Sequence, residues 1–160
     1  MVKLAQPYNV VVDTREKAPY IFKAYDNCTG MINKKLDTGD YSIEGLEHVI
    51  CIERKSSVEE IANNLNEGTD RLEKEMQRMR LYEQRFIICE FSLSDVMNYP
   101  NNSKLPPYIK KRIKMNGKYI LKKLMEFQVN YHINVVFCDS KEGGFYFVAS
   151  LLKRLSEKYL

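Results

Sequence analysis

No stretch of this 160-residue chain approaches the ~18–20 apolar residues of a membrane-spanning helix. The N-terminus, Met1-Val2-Lys3-Leu4-Ala5-Gln6-Pro7, lacks the long apolar core of a secretion signal. Glycine and proline number only 7 and 5, which excludes a collagen-like or linker composition. The 44% hydrophobic and 29% charged content excludes an unfolded chain and suits one globular domain.

Metal-binding thiol patterns are missing too. Cys28, Cys51, Cys89 and Cys138 are widely spaced with no C-x-x-C, and three lie in apolar runs, as small buried hydrophobes do. This is the cysteine usage of a reducing compartment. The expected location is the cytoplasm of a microbial cell or phage-infected host, or the nucleus if the source is eukaryotic. His48 and His132 are too few for a histidine-rich site.

Acidic residues are absent from one long stretch. Between Lys104 and Lys123 lie Lys110, Lys111, Arg112, Lys114, Lys118 and Lys122, with no Asp or Glu. The segment carries +8 in a chain whose net charge is +4, so the rest is net negative. A basic stripe on such a body is the footprint of a phosphate-backbone binder, although lysine runs also serve simply to solvate a helix face. Lys110, Lys111, Arg112, Lys114 and Lys118 are the candidate DNA contacts.

Strand and helix patterns alternate. Tyr8–Asp13 is a β-branched run, and residues 40–43 and 47–53 flank Glu44-Gly45-Leu46 as a hairpin. Ser56 and Ser57 each have a Glu three residues on, two overlapping capping boxes ahead of Val58, Ile61 and Leu65. Gly68 ends that helix, Thr69 or Asp70 is the expected cap of the next, and Leu72, Met76 and Met79 stripe it. A strand at Arg85–Phe91 and a short helix ending at Pro100 follow. Pro106-Pro107 then opens a helical pattern running to about Asn130, with Asn116-Gly117 marking either a kink or a new cap. A strand at Ile133–Phe137 and a final helix striped by Phe145, Val148, Leu152, Leu155 and Tyr159 close the chain. The class is α/β with a mixed sheet.

The chemistry gathers between Asp13 and Glu59. Asp13 and Arg15 follow the first strand, where α/β sheets place ligands. Asp40 opens the hairpin, and strand parity puts Glu53 and Lys55 on one face and Arg54 on the other. Glu59 follows in the first turn of the next helix. Taken singly these are ordinary turn formers and surface pairs. Converging carboxylates, however, either take up protons or bind a hard cation, and an oxygen set without histidine or thiolate selects Mg²⁺ or Mn²⁺.

Three motifs, Val12-Asp13-Thr14-Arg15-Glu16, Leu36-Asp37-Thr38-Gly39-Asp40-Tyr41 and Ile52-Glu53-Arg54-Lys55-Ser56, occur in order. Together they resemble the nuclease domain of the XPF-type structure-specific endonucleases, a branch of the restriction-endonuclease-like PD-(D/E)xK superfamily. The resemblance continues through Asn64-Leu65, Gly68, Arg71-Leu72, Arg78-Met79 and Tyr82 to Glu90-Phe91. It implies a three-layer fold with a central mixed sheet flanked by helices, and a single nuclease domain over residues 1–160 without the family's helix-hairpin-helix module. DNA grip is then expected from the 104–123 segment, a protein partner or a homodimer, with no membrane partner.

The implied activity is divalent-metal-dependent hydrolysis of DNA phosphodiesters at branched, flapped or nicked sites. By resemblance, Asp40 and Glu53 ligate Mg²⁺ or Mn²⁺, helped by the Arg54 carbonyl, and Asp13 completes the set as a ligand or through water. Lys55 orients and helps deprotonate the attacking water, and Arg15 holds the scissile phosphate. Glu59 stands where the family has Asp. That departure keeps a second reading open, a catalytically silent DNA-binding or dimerisation subunit of the same fold.

Overall fold

A computed structural model describes residues 5–22 and 27–160. Six strands form one sheet: β1 (Tyr8–Val12), β2 (Cys28–Asn33), β3 (Tyr41–Ile43), β4 (Ile50–Lys55), β5 (Gln84–Cys89) and β6 (Asn134–Phe137). Their order is β2-β1-β3-β4-β5-β6. The β3–β4 hairpin is antiparallel and central, whereas β1–β2, β4–β5 and β5–β6 pair in parallel. The sheet is therefore mixed, as the early hairpin requires.

Helices cover both faces. α1 (Val58–Glu67), α2 (Thr69–Met79), α3 (Leu93–Met97), α4 (Pro107–Lys110) and α5 (Gly117–Tyr131) precede α6 (Lys141–Tyr159). One core joins α1, α2, α3 and α5 to the sheet through Ile61, Leu65, Met76, Val96, Ile120 and Leu124, together with Cys51 and Ile87 of the strands. The other joins α6 to the opposite face through Val148, Ala149, Leu152 and Leu155 against Val10, Ile43, Ile52 and Ile88. Neighbouring residues Ile87 and Ile88 fall in different cores because strand side chains alternate.

Several boundaries differ from the sequence expectation. β2 does not stand out in Cys-Thr-Gly-Met-Ile-Asn, which lacks clean alternation and has a glycine inside it; pairing with β1 makes it a strand. Neither Thr69 nor Asp70 caps α2. Only Gly68 separates the two helices and serves as N-cap itself, while the Thr69 hydroxyl donates back to the Leu65 carbonyl. The long pattern after Pro106 resolves into two helices. Asn116 starts the second, its Oδ1 accepting from the Tyr119 amide at 3.0 Å. Gly117 fits there because α5 abuts α3: a Cβ would lie 2.0 Å from the Val96 carbonyl oxygen.

Candidate active site

Backbone pairing at the sheet's centre brings the three motifs together. The Asp13 amide donates to the Asp40 carbonyl at 2.8 Å, and the Asp40 amide donates to the Ile52 carbonyl at 2.7 Å. Asp13, Asp40 and Glu53 thus stand at adjoining strand ends. Gly39 makes the approach possible. Its φ is +90°, and a Cβ would meet Cys51 Sγ at 2.8 Å. The result is an open cleft of about 340 Å³ lined by Arg15, Glu16, Asp40, Glu53, Arg54, Ser56 and Glu60, among others.

Asp40 and Glu53 share a poorly hydrated corner. Burial pushes the Asp40 carboxyl up to about 7, even though its Oδ2 accepts from the Arg54 amide at 2.7 Å. Burial, and then the Asp40 charge, hold Glu53 well above the usual carboxylate range. Lys55 is 4% exposed; its Nζ lies 3.3 Å from Glu53 Oε1 and donates to Asn64 Oδ1 at 3.1 Å. Burial works against the ammonium, but Glu53, Glu75 and Glu60 outweigh it and raise its pKa. In that state the amine supplies hydrogen bonds and positive charge and takes up no proton.

Asp13 is arranged differently. Its Oδ2 accepts from Arg15 Nε at 2.8 Å, and its Oδ1 accepts from the Leu36 amide at 2.8 Å and from the Arg15 guanidinium at 3.3 Å. Burial opposes the charge, yet these bonds hold the carboxyl below its ordinary value. Asp13 therefore spends its oxygens on Arg15 and the 36-amide. Arg15 also donates to the Leu36 carbonyl at 2.8 Å, and it remains largely exposed at the cleft rim. Among the described residues, no three Asp, Glu, His or Cys side chains gather closely enough to hold a metal unaided.

Glu59 is not brought to this cleft. It lines a neighbouring groove of about 480 Å³ with Ser57, Phe91, Asn102, Lys104 and others. The helix cap explains the exchange. Ser57 caps α1 by accepting from the Glu60 amide, and the Glu60 carboxylate turns back to the Ser56 amide and hydroxyl at 2.8 and 2.9 Å. That geometry fixes Glu60 toward the cleft and leaves Glu59 about 100° around the helix.

Arg54 faces away from Lys55, as strand parity requires. It donates to Glu90 Oε2 at 2.8 Å and to the Ala18 carbonyl at 2.9 Å, pairs with Glu16 at 3.2 Å, and lies 5.0 Å from the Tyr20 ring centroid. Glu16, Glu60, Glu75 and Glu90 are the site's unexpected members. The capping box foreshadowed Glu60, while Glu75 and Glu90 arrive from α2 and the end of β5 with no local signal.

Lys111, Arg112, Lys114 and Lys118 are exposed. Lys110 is half-buried and donates to the Asn101 carbonyl at 2.8 Å. Lys122 and Lys123 reach Glu126.

A family model for the ERCC4 domain matches residues 12–151. This chain belongs to the ERCC4 domain family. Among solved structures it is similar to XPF from Aeropyrum pernix, with a TM-score of 0.66 and 25% identity over 95% of this chain. The same protein in complex with DNA gives a TM-score of 0.63 at 25% identity, again over 95% of this chain. In both cases the chain spans 66% of the other protein's length. No curated protein matches. The expected XPF-type resemblance and three-layer α/β fold thus hold for this ERCC4 domain. No helix among the described residues is long and apolar enough to cross a membrane.

Proposed function

We propose that this ERCC4 domain is a divalent-metal-dependent DNA endonuclease acting at branched, flapped or nicked DNA. The observation that carries the reading is the pairing of Asp40 and Glu53 in one cleft beside a buried, charged Lys55. Two crowded carboxylates with raised proton affinity gain free energy from any hard cation that replaces the proton. Two protein carboxylates, with the remaining positions left to water and phosphate oxygens, are a donor set that suits Mg²⁺ or Mn²⁺. Such an ion, when bound, supplies Lewis acidity and lowers the pKa of a water.

The chain's own groups do the rest. Lys55, held by Glu53 and Asn64, orients the attacking water and places charge against the developing oxyanion. Asp13 acts through Arg15, presenting the guanidinium at the rim to the scissile phosphate. Arg54 is a positioning residue: its amide fixes Asp40, and its side chain ties the Glu16 loop to Glu90. Glu59 belongs to the adjoining groove. The exposed cations of the 111–118 stretch grip phosphates, and the XPF–DNA complex supports DNA as the ligand.

Asp40→Asn and Glu53→Gln separate this reading from a silent DNA-binding subunit. Each variant should lose cleavage of a flapped duplex in Mg²⁺ while keeping its fold and DNA affinity. Parental rates in either variant would remove those residues from the site.

A further inference from the structure

The basic segment is at odds with its own helices. Neither α4 nor α5 has an acid in its first turn. Lys118 sits at the start of α5, where the helix dipole favours anions. Lys111, Arg112, Lys114 and Lys118 form no ion pair among the described residues. Set among these cations are two exposed aromatic rings, Tyr108 on α4 and Tyr119 in the first turn of α5, 63% and 39% exposed. Lys123 Nζ, paired with Glu126, lies 5.8 Å from the Tyr119 ring centroid.

This surface adjoins a groove that meets the cleft. Ser56 lines both the cleft and the 480 Å³ groove, whose walls include Val58, Glu59, Phe91, Asp95, Asn102 and Lys104. Lys110, two residues after Tyr108, donates to the Asn101 carbonyl beside the groove's Asn102, and the Gly117 amide, two residues before Tyr119, donates to the Tyr99 carbonyl of the same loop. Asp40 and Glu53 are thus joined past Ser56 to a partly apolar groove, and α4 and the first turn of α5 are bonded to the loop that walls it.

We propose that this surface binds the unpaired strand of a branched substrate, with Tyr108 and Tyr119 stacking on its bases and the lysines on its phosphates. The inference rests on the nuclease reading above and adds to it the groups that select unpaired DNA. Duplex DNA hides its base faces, so the lysines alone would serve it. Unpaired bases expose those faces, and aromatic side chains set among exposed cations bind them without regard to sequence. The same charge disfavours a second copy of this chain as occupant, since two such segments repel.

The test measures anisotropy of a labelled single strand, a matched duplex and a flapped duplex across a salt series. Tyr108→Ala/Tyr119→Ala should weaken single-strand and flap binding by about 10- to 100-fold, leaving duplex affinity within about twofold and every salt slope unchanged. Tyr108→Phe/Tyr119→Phe, which keeps the rings, should bind like the parent. Equal losses on duplex and single strand would overturn the proposal, as would no loss on either. A change in sedimentation without a change in DNA binding would also overturn it, marking a self-association face. The underlying DNA reading is tested separately by Lys111→Ala/Lys114→Ala/Lys118→Ala. If that variant leaves the salt slope intact, the segment does not grip phosphates, whatever the tyrosines do.

Discussion

Asp40 and Glu53 occupy positions that neither carboxylate would choose for stability. Because the folded pKa of Asp40 is raised, near 7 against an ordinary 3.8, its neutral form is the one the fold favours. Its contribution to stability is complete below about pH 4 and is lost as pH rises through about 7. Asp40→Asn should therefore make the metal-free protein more stable at pH 7.5 by about 1–3 kcal/mol, discounted for partial exposure. At pH 4 the gain should vanish, and urea unfolding at the two pH values reads it directly. Lys55 makes the complementary point. Since its amine is buried against Glu53 and Asn64 and meets the reacting water and not the DNA at large, Lys55→Ala should lower kcat with DNA affinity little changed. Single-turnover cleavage combined with binding at equilibrium separates the two.

At the scale of elements, the hairpin sets the site. Gly39 precedes Asp40 in a conformation that a side chain resists, with Cys51 Sγ and the Ile52 carbonyl 2.8 and 3.2 Å from a would-be Cβ. Gly39→Ala should cost about 1–3 kcal/mol of stability. It should also reduce cleavage by more than unfolding accounts for, because Asp40 moves with the turn; thermal melts beside rates at a permissive temperature check this. Much of this arrangement was legible beforehand. The hairpin, the parity of Glu53, Arg54 and Lys55, and the cap at Ser57 follow from period-two alternation and short-range hydrogen bonding. The strand β2 was not legible, because its state depends on a partner and not on its own residues. Glu75 was hidden for the same reason, and Glu90, although inside the resemblance, gave no sign of its bond to Arg54. Glu59 lines the neighbouring groove because motif spacing fixes a position along the chain, whereas the cap fixes which helix face turns inward.

Across the whole molecule, charge is sorted. Acids surround the cleft, and the cations without an ion pair among the described residues, Lys111, Arg112, Lys114 and Lys118, lie on the side of the sheet covered by α3 and α5. Each phosphate contact contributes roughly 0.9 to the slope of log affinity against log salt on duplex DNA. Replacing Lys111, Lys114 and Lys118 by Ala should flatten that slope by about two to three. Lys110, already bonded to the Asn101 carbonyl, should contribute less. Cleavage at saturating DNA should survive, since the carboxylates are untouched. At the centre stands metal-dependent strand scission by the Asp40–Glu53 pair. Incubating labelled nicked, flapped, branched and plain duplex DNA with the protein, in Mg²⁺ or in chelator, tests it most directly. Discontinuous substrates should be cut in Mg²⁺ and left whole in chelator; intact DNA throughout, or equal cutting with the metal removed, would rule out metal-dependent scission by this pair.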